Sequence, residues 1–100
     1  MPQTDPSEER LAHIRLALDI LIRQMVDLPH RVSVTPVRDD SGAVIFSVRV
    51  AQRDVGVVIG KSGRTARALR TILMAVEQGC ERHYRLEIEN DEPEPTAGHR

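Results

Sequence analysis

Residues Asp54 to Arg70 read D-V-G-V-V-I-G-K-S-G-R-T-A-R-A-L-R, and at their centre Gly60 and Gly63 bracket Lys61 and Ser62. An apolar run, Val55 to Ile59, enters this centre, and a strongly helical, arginine-bearing segment leaves it. Glycine adopts backbone conformations that a Cβ forbids and lets another backbone come close. Here the pair falls just before a helix start, where free N–H groups and the helix dipole favour an anion. Lys61 adds a mobile point charge and Ser62 a small donor that does not block the approach. The stretch therefore reads as a phosphate-contacting turn between two helices. The chain has thirteen arginines and one lysine, and the lysine is Lys61. An ammonium is more compact than a guanidinium and differs from it in hydration, so its place in this turn fits a demand for a small cation.

Gly56 to Ser62 also looks like a phosphate loop of the G-x-x-x-x-G-K-[ST] type, but only three residues separate Gly56 from Gly60 where four are needed. That loop wraps phosphate with successive backbone N–H groups, and one residue fewer spoils the wrap. Val57, Val58 and Ile59 also have the character of helix or core residues rather than loop residues. A nucleotide-hydrolysing enzyme is disfavoured, and no second acid stands in a catalytic context.

One hundred residues with 40% hydrophobic content allow a single modest core. No apolar run has membrane-spanning length and no signal-peptide pattern opens the chain. The single cysteine, Cys80, offers neither an intramolecular disulfide nor a thiolate metal cluster. His13, His30, His83 and His99 are scattered without ligand spacing. The expectation is a cytoplasmic protein with no metal, no cofactor and no membrane partner. The net charge is −1, yet from Ser41 to Val76 the cations Arg49, Arg53, Lys61, Arg64, Arg67 and Arg70 face Asp54 alone. A local basic face binds phosphates in a protein that is neutral overall. With only Phe46 and Tyr84 as aromatics, recognition by stacking bases on exposed rings is disfavoured.

Taken in order, Met1 to about Pro6 reads as a disordered start, with Asp5 or Ser7 capping a helix that runs to about Val26. Leu11, Ile14, Leu18, Leu21, Ile22 and Met25 recur at helical spacing as its core stripe, and Leu16 and Ile20 fall on the opposite side. Pro29 closes that segment. Arg31 to Val37 alternates as a strand with Val32 and Val34 inward, and Pro36 places it at an edge. Asp39 to Gly42 is a turn by composition, and Val44, Phe46, Val48 and Val50 form the inward face of a second strand, making an antiparallel hairpin. A short helix spans Asp54 to Ile59. A longer one opens at Gly63 or Arg64 and reaches about Gln78, with Ala66, Leu69, Ile72, Leu73 and Val76 buried and Gly79 as cap. His83 to Glu89 is a third strand with Tyr84, Leu86 and Ile88 inward. Residues 90–100, acidic and without apolar anchors, read as a disordered tail. Cys80 and His83 read as structural or incidental rather than as a catalytic pair.

The last strand returns after a two-helix crossover, so it can lie parallel to the second with a right-handed connection. The product is an α+β domain over residues 7–89 in αββααβ order. A three-stranded mixed sheet carries three helices packed on one face and leaves the other more exposed.

This order, together with Val50-Ala51, Asp54-Val55-Gly56 and Ile59-Gly60-Lys61-Ser62-Gly63-Arg64-Thr65-Ala66-Arg67-Ala68-Leu69-Arg70, resembles the type II K-homology (KH) domain. It is most similar to the small bacterial single-KH RNA-binding proteins, the KhpA-like family associated with RNA chaperone activity. The resemblance covers Leu11 to Glu89. Gln52-Arg53 replaces a common Pro-Glu, Val57 replaces a common lysine, and the acidic tail is particular to this chain. The resemblance implies a groove between the short helix with its glycine turn and the third strand, the Cys80-to-His83 loop at its far rim. Gly60, Lys61, Ser62 and Gly63 would hold the backbone of about four nucleotides, helped by Arg64 and Arg67, and Gly56, Val58 and Ile59 would form a small apolar wall for bases. It also implies single-stranded RNA as ligand, binding rather than catalysis, and a post-transcriptional role connected with cell shape. A larger KH-containing partner protein is implied, and a homodimer is possible. The competing reading is a protein–protein adaptor in which the KH fold binds little nucleic acid and uses Leu16, Ile20 or the glycine turn.

Overall fold

A computed structural model describes residues 6–77 and 82–91. Its elements are α1 (Pro6–Met25), a 3-10 turn (Pro29–Arg31), β1 (Ser33–Arg38), β2 (Val44–Val50), α2 (Gln52–Ile59), a second 3-10 turn (Lys61–Gly63), α3 (Arg64–Glu77) and β3 (Tyr84–Asn90). The order and the mixed sheet are those expected. β2 is central, antiparallel to β1 and parallel to β3. Asp5, the side chain of Ser7, Gln78, Gly79, Cys80 and the tail from Glu92 lie outside what is described.

Alternation on β2 sets the core. Val44, Phe46, Val48 and Val50 are all buried, and the parallel register brings Tyr84, Leu86 and Ile88 opposite the first three. Phe46 and Tyr84 meet edge to face, ring centroids 5.6 Å apart, the arrangement that aromatic quadrupoles favour. Val32 and Val34 extend this layer on the β1 side, and Leu11, Leu18, Ile22, Val58, Leu69 and Leu73 cover it from the helices. The opposite face carries Ser33, Thr35, Arg49, Arg85, Glu87 and Glu89, all exposed.

Two members of the expected helical stripes are not in this core. Leu21 on α1 is 44% exposed and Ile72 on α3 is 52% exposed. α1 packs chiefly on β1, whereas α3 packs on α2 and β3, so residues at the margin of either stripe overhang the gap between the helices instead of reaching the sheet. That gap is an apolar groove of about 120 Å³ lined by Ile14, Ala17, Leu18, Leu21, Leu69, Ile72, Leu73 and Val76. Leu16 and Ile20, expected outside the stripe, are exposed.

The connector from α1 to β1 is more structured than a plain break. Arg31 belongs to a 3-10 turn, with the Arg31 N–H donating to the Leu28 carbonyl at 3.0 Å and Val32 N–H to Pro29 at 3.1 Å, so β1 begins two residues later than the alternation implied. Arg23 braces it from α1, donating to the carbonyls of Pro29 (2.8 Å) and Val32 (3.1 Å). From the other side, the fully buried Asp54 accepts from the backbone N–H of Asp27 and of Leu28, each at 3.0 Å. At the far end, β3 runs one residue beyond its expected limit to Asn90. Asp91 then pairs with Arg31 through two bonds, of 2.6 and 2.7 Å, and its N–H donates to Val50 at 2.7 Å. Asn90 and Asp91, which composition alone assigns to the tail, are thus held by strand pairing and by a bidentate guanidinium–carboxylate pair.

Replacing Asp54 tests the central tie. Asp54→Ala leaves two backbone donors without their acceptor, so it is expected to destabilise the fold by about 2–3 kcal/mol. Asp54→Asn, which keeps one acceptor oxygen, is expected to cost roughly half as much. Chemical denaturation of the two variants beside wild type checks both values.

Candidate nucleic-acid interface

The turn is built from α2 outward. The Asp54 N–H donates to Ala51 at 2.7 Å and starts the helix; Gly60 N–H donates to Gly56 at 2.8 Å and ends it. The helix thus continues through Val57, Val58 and Ile59, which is incompatible with a phosphate loop over the same residues. At Gly60 the backbone turns to φ 83°, ψ 164°, a region open essentially to glycine alone. The space is also taken. A Cβ on Gly60 would sit 2.7 Å from both Cβ and backbone N of Thr65, with Thr65 Oγ1 nearer still. Gly60 is therefore needed twice, for its dihedrals and for the close passage of the first turn of α3.

The following bonds close the turn. Gly63 N–H donates to Gly60 at 2.9 Å, and Arg64 N–H donates to the Lys61 carbonyl. Ser62 has φ 56°, ψ 25°, and Gly63 has φ 75°. Neither the Lys61 nor the Ser62 N–H donates to a backbone carbonyl among the described residues. Two free donors thus lie at the positive end of α3, whose first turn carries no acid. Lys61, Ser62 and Arg64 are exposed around them. Free donors and a helix N-terminus are the features that favour an anion.

The structure brings Gly60, Lys61, Ser62, Gly63 and Arg64 together as expected, and it places exposed Gly56 and Ile59 on α2 beside them. Val58 is different. It is fully buried in the core, since at helical spacing it points to the sheet, and so it offers no wall to a ligand. Its neighbour Val57 is 47% exposed and contributes apolar surface at that site. Arg67 lies beside the turn, but its Nη2 donates to the Ser62 carbonyl at 3.1 Å. The wider basic face also divides. Arg49 is on the open face of the sheet, 3.7 Å from Glu89, and Arg53 is 3.2 Å from Asp27. Lys61, Arg64 and Arg70 have no acidic partner among the described residues.

At the expected far rim, Cys80 and Glu81 fall outside the described residues. His83 is a structural partner: its Nδ1 lies 2.9 Å from Glu77 Oε2, while the Tyr84 N–H donates to Glu77 Oε1 at 3.2 Å. These bonds, that to His83 foremost, hold the Glu77 carboxyl below the usual range, and they tie the end of α3 to the start of β3. Nothing in the sequence assigns Thr65 a role. Its importance comes from lying against Gly60, and no spacing or composition marks that contact. Among the described residues no group of histidines, cysteines and acids could hold a metal ion, and no helix is long and apolar enough to cross a membrane.

Comparison with known proteins agrees with this geometry. Residues 15–88 match the family model described as KhpA/KhpB, KH domain. A Treponema pallidum protein named RNA-binding protein KhpA is 47% identical over 81 residues, covering 81% of this chain and 91% of that relative. Proteins of the same name from Leifsonia xyli and Listeria monocytogenes are 41% identical over 75 residues and 38% over 68. The first alignment covers 75% of this chain and 95% of the relative, the second 68% and 88%.

The glycines are expected to separate on substitution. A Cβ on Gly56 meets nothing within 4 Å, so Gly56→Ala is expected to stabilise the fold by up to about 1 kcal/mol through helix propensity and chain entropy. Gly60→Ala meets the Thr65 backbone and is expected to cost about 2 kcal/mol or more. Thermal melts of the two proteins beside wild type test the order.

Proposed function

The chain belongs to the KhpA/KhpB family of KH domains, and on that footing we propose that it binds single-stranded RNA through the turn Gly60 to Gly63. The observation that carries this reading is the pair of free N–H groups on Lys61 and Ser62 at the positive end of α3. Lys61 and Arg64 stand beside them without acidic partners among the described residues. A phosphate seated there receives backbone donors and two mobile cations, and neighbouring nucleotides lie along the exposed side of α2 at Gly56, Val57 and Ile59. Affinity comes mostly from the backbone of the ligand, since phosphate contacts position a strand without reading it. The reading is of binding rather than catalysis, in keeping with the relatives' name, RNA-binding protein. The role is post-transcriptional, acting on transcripts in the cytoplasm in the manner of an RNA chaperone and linked to cell shape. The relatives' name, RNA-binding protein, supports this over a pure adaptor role.

Changing Lys61 and Ser62 together to Asp places two negative charges where the phosphate sits. Both positions are exposed, so the variant is expected to fold with little loss of stability and to bind short single-stranded RNA at least about tenfold more weakly. Arg64→Ala is expected to weaken binding to all sequences alike. Fluorescence anisotropy over a range of salt concentrations measures both, and wild-type affinity of the double variant in low salt would exclude the turn as the site.

A protein partner accompanies RNA in this reading, either a larger KH-containing protein or a second copy of this chain. What supports it is exposed apolar surface on the helices: Leu21 and Ile72, 44% and 52% exposed, line the α1–α3 groove, and Leu16 and Ile20, 46% and 52% exposed, lie elsewhere on α1. Exposed apolar surface of this kind is used at contact sites. Leu16→Glu and Ile72→Glu are expected to abolish self-association or partner capture while RNA affinity stays within about twofold of wild type, the charge being buried on contact. Light scattering and co-purification read the first effect, anisotropy the second.

A further inference from the structure

We infer that Arg67 is a positioning residue for the RNA-binding turn, acting through Ser62 rather than on the ligand. The inference rests on the RNA-binding reading above and concerns how the same turn is kept in shape. Ser62 is the one non-glycine with positive φ among the described residues, at φ 56°. It occupies the third position of a tight turn closed by the bond from Gly63 N–H to the Gly60 carbonyl, where a positive φ normally calls for glycine or asparagine. Serine has neither glycine's freedom nor asparagine's amide, so its surroundings must hold it there.

The hold is on one peptide group, between Ser62 and Gly63. Its N–H is taken by the Gly60 carbonyl at 2.9 Å, and its carbonyl oxygen is taken by Arg67 Nη2 at 3.1 Å. With both poles engaged, the plane cannot rotate without breaking a hydrogen bond, one of them charge-assisted. The guanidinium reaches Ser62 past Gly63, whose missing Cβ would stand 3.7 Å from Nη2. Fixing this peptide leaves the N–H groups of Lys61 and Ser62 directed away from the turn's own carbonyls, which is the state a phosphate needs. Arg64 and Lys61 make no such bond and remain the cations for the ligand.

A cycle of Arg67→Ala, Ser62→Gly and the two combined tests this, with binding of a fluorescein-labelled single-stranded oligouridine measured at several salt concentrations. If Arg67 acts through Ser62, Arg67→Ala weakens binding about fivefold to tenfold, the scale set by a residue held in the left-handed region, and leaves the salt slope unchanged. In the Ser62→Gly background, where positive φ needs no support, the same change is expected to cost less than about twofold. An equal loss in both backgrounds, with a slope shallower by about 0.7, would make Arg67 a phosphate contact and overturn the inference, and so would wild-type affinity of Arg67→Ala. The intraresidue HN–Hα NOE of residue 62, strong only where φ is positive, reads the turn without RNA. It should be strong in wild type and weakened in Arg67→Ala; an unchanged NOE would overturn the inference. If wild type binds no oligonucleotide, the RNA reading fails and this NOE alone decides the role of Arg67.

Discussion

The buried carboxylate of Asp54 holds together parts of the molecule that no strand pairing connects. It sits in the first turn of α2, where a negative group complements the helix dipole, and its two oxygens accept from the connector that follows α1. α1 is thereby tied to the helix that ends in the glycine turn. Burying an acid is costly unless its oxygens are hydrogen-bonded. Here the two backbone donors beyond the end of α1 meet that need. With Arg23 bracing the connector's carbonyls and Arg31 gripping Asp91, a short irregular segment becomes a rigid corner.

From that corner α2 projects a turn whose two glycines do different work. Gly60 allows α2 and α3 to pass within a distance that no Cβ tolerates, and it adopts dihedrals closed to other residues. At Gly63 a Cβ would make only an ordinary contact, 3.7 Å from Arg67 Nη2, and glycine is needed for its positive φ. Between them the free N–H groups of Lys61 and Ser62 are gathered at the start of α3. The donors there are set by backbone direction, and the exposed side chains of Lys61 and Arg64 stand at their edge.

The helical side is less complete. α1 and α3 each rest on the sheet but leave an apolar groove between them, with Leu21 and Ile72 on its margins. The glycine turn and this groove involve different surfaces of α3: the first adjoins its N-terminus, the second its flank toward α1. The two features therefore share no residues.

The order of elements, the strand alternation, the edge position of β1 and the glycine turn could all be read in the sequence, because each depends on local geometry: period two, period 3.6, proline's missing donor, glycine's missing Cβ. The resemblance of Asp54 to Arg70 to KH domains carried the same information about the site. What could not be read were distances between residues far apart in the chain or oriented by a turn. Leu21 and Ile72 keep helical spacing, yet they are exposed because helix placement on the sheet decides which margin of a stripe is covered. Val58 belongs to the motif but faces the core, and Arg49 and Arg53, basic by count, are turned to Glu89 and Asp27. Arg67 looked like one more phosphate ligand in a row of arginines at three-residue spacing. Only the folded turn, with a carbonyl 3.1 Å from its guanidinium, gives it a different partner, since periodicity specifies the face of a helix and not what stands opposite it.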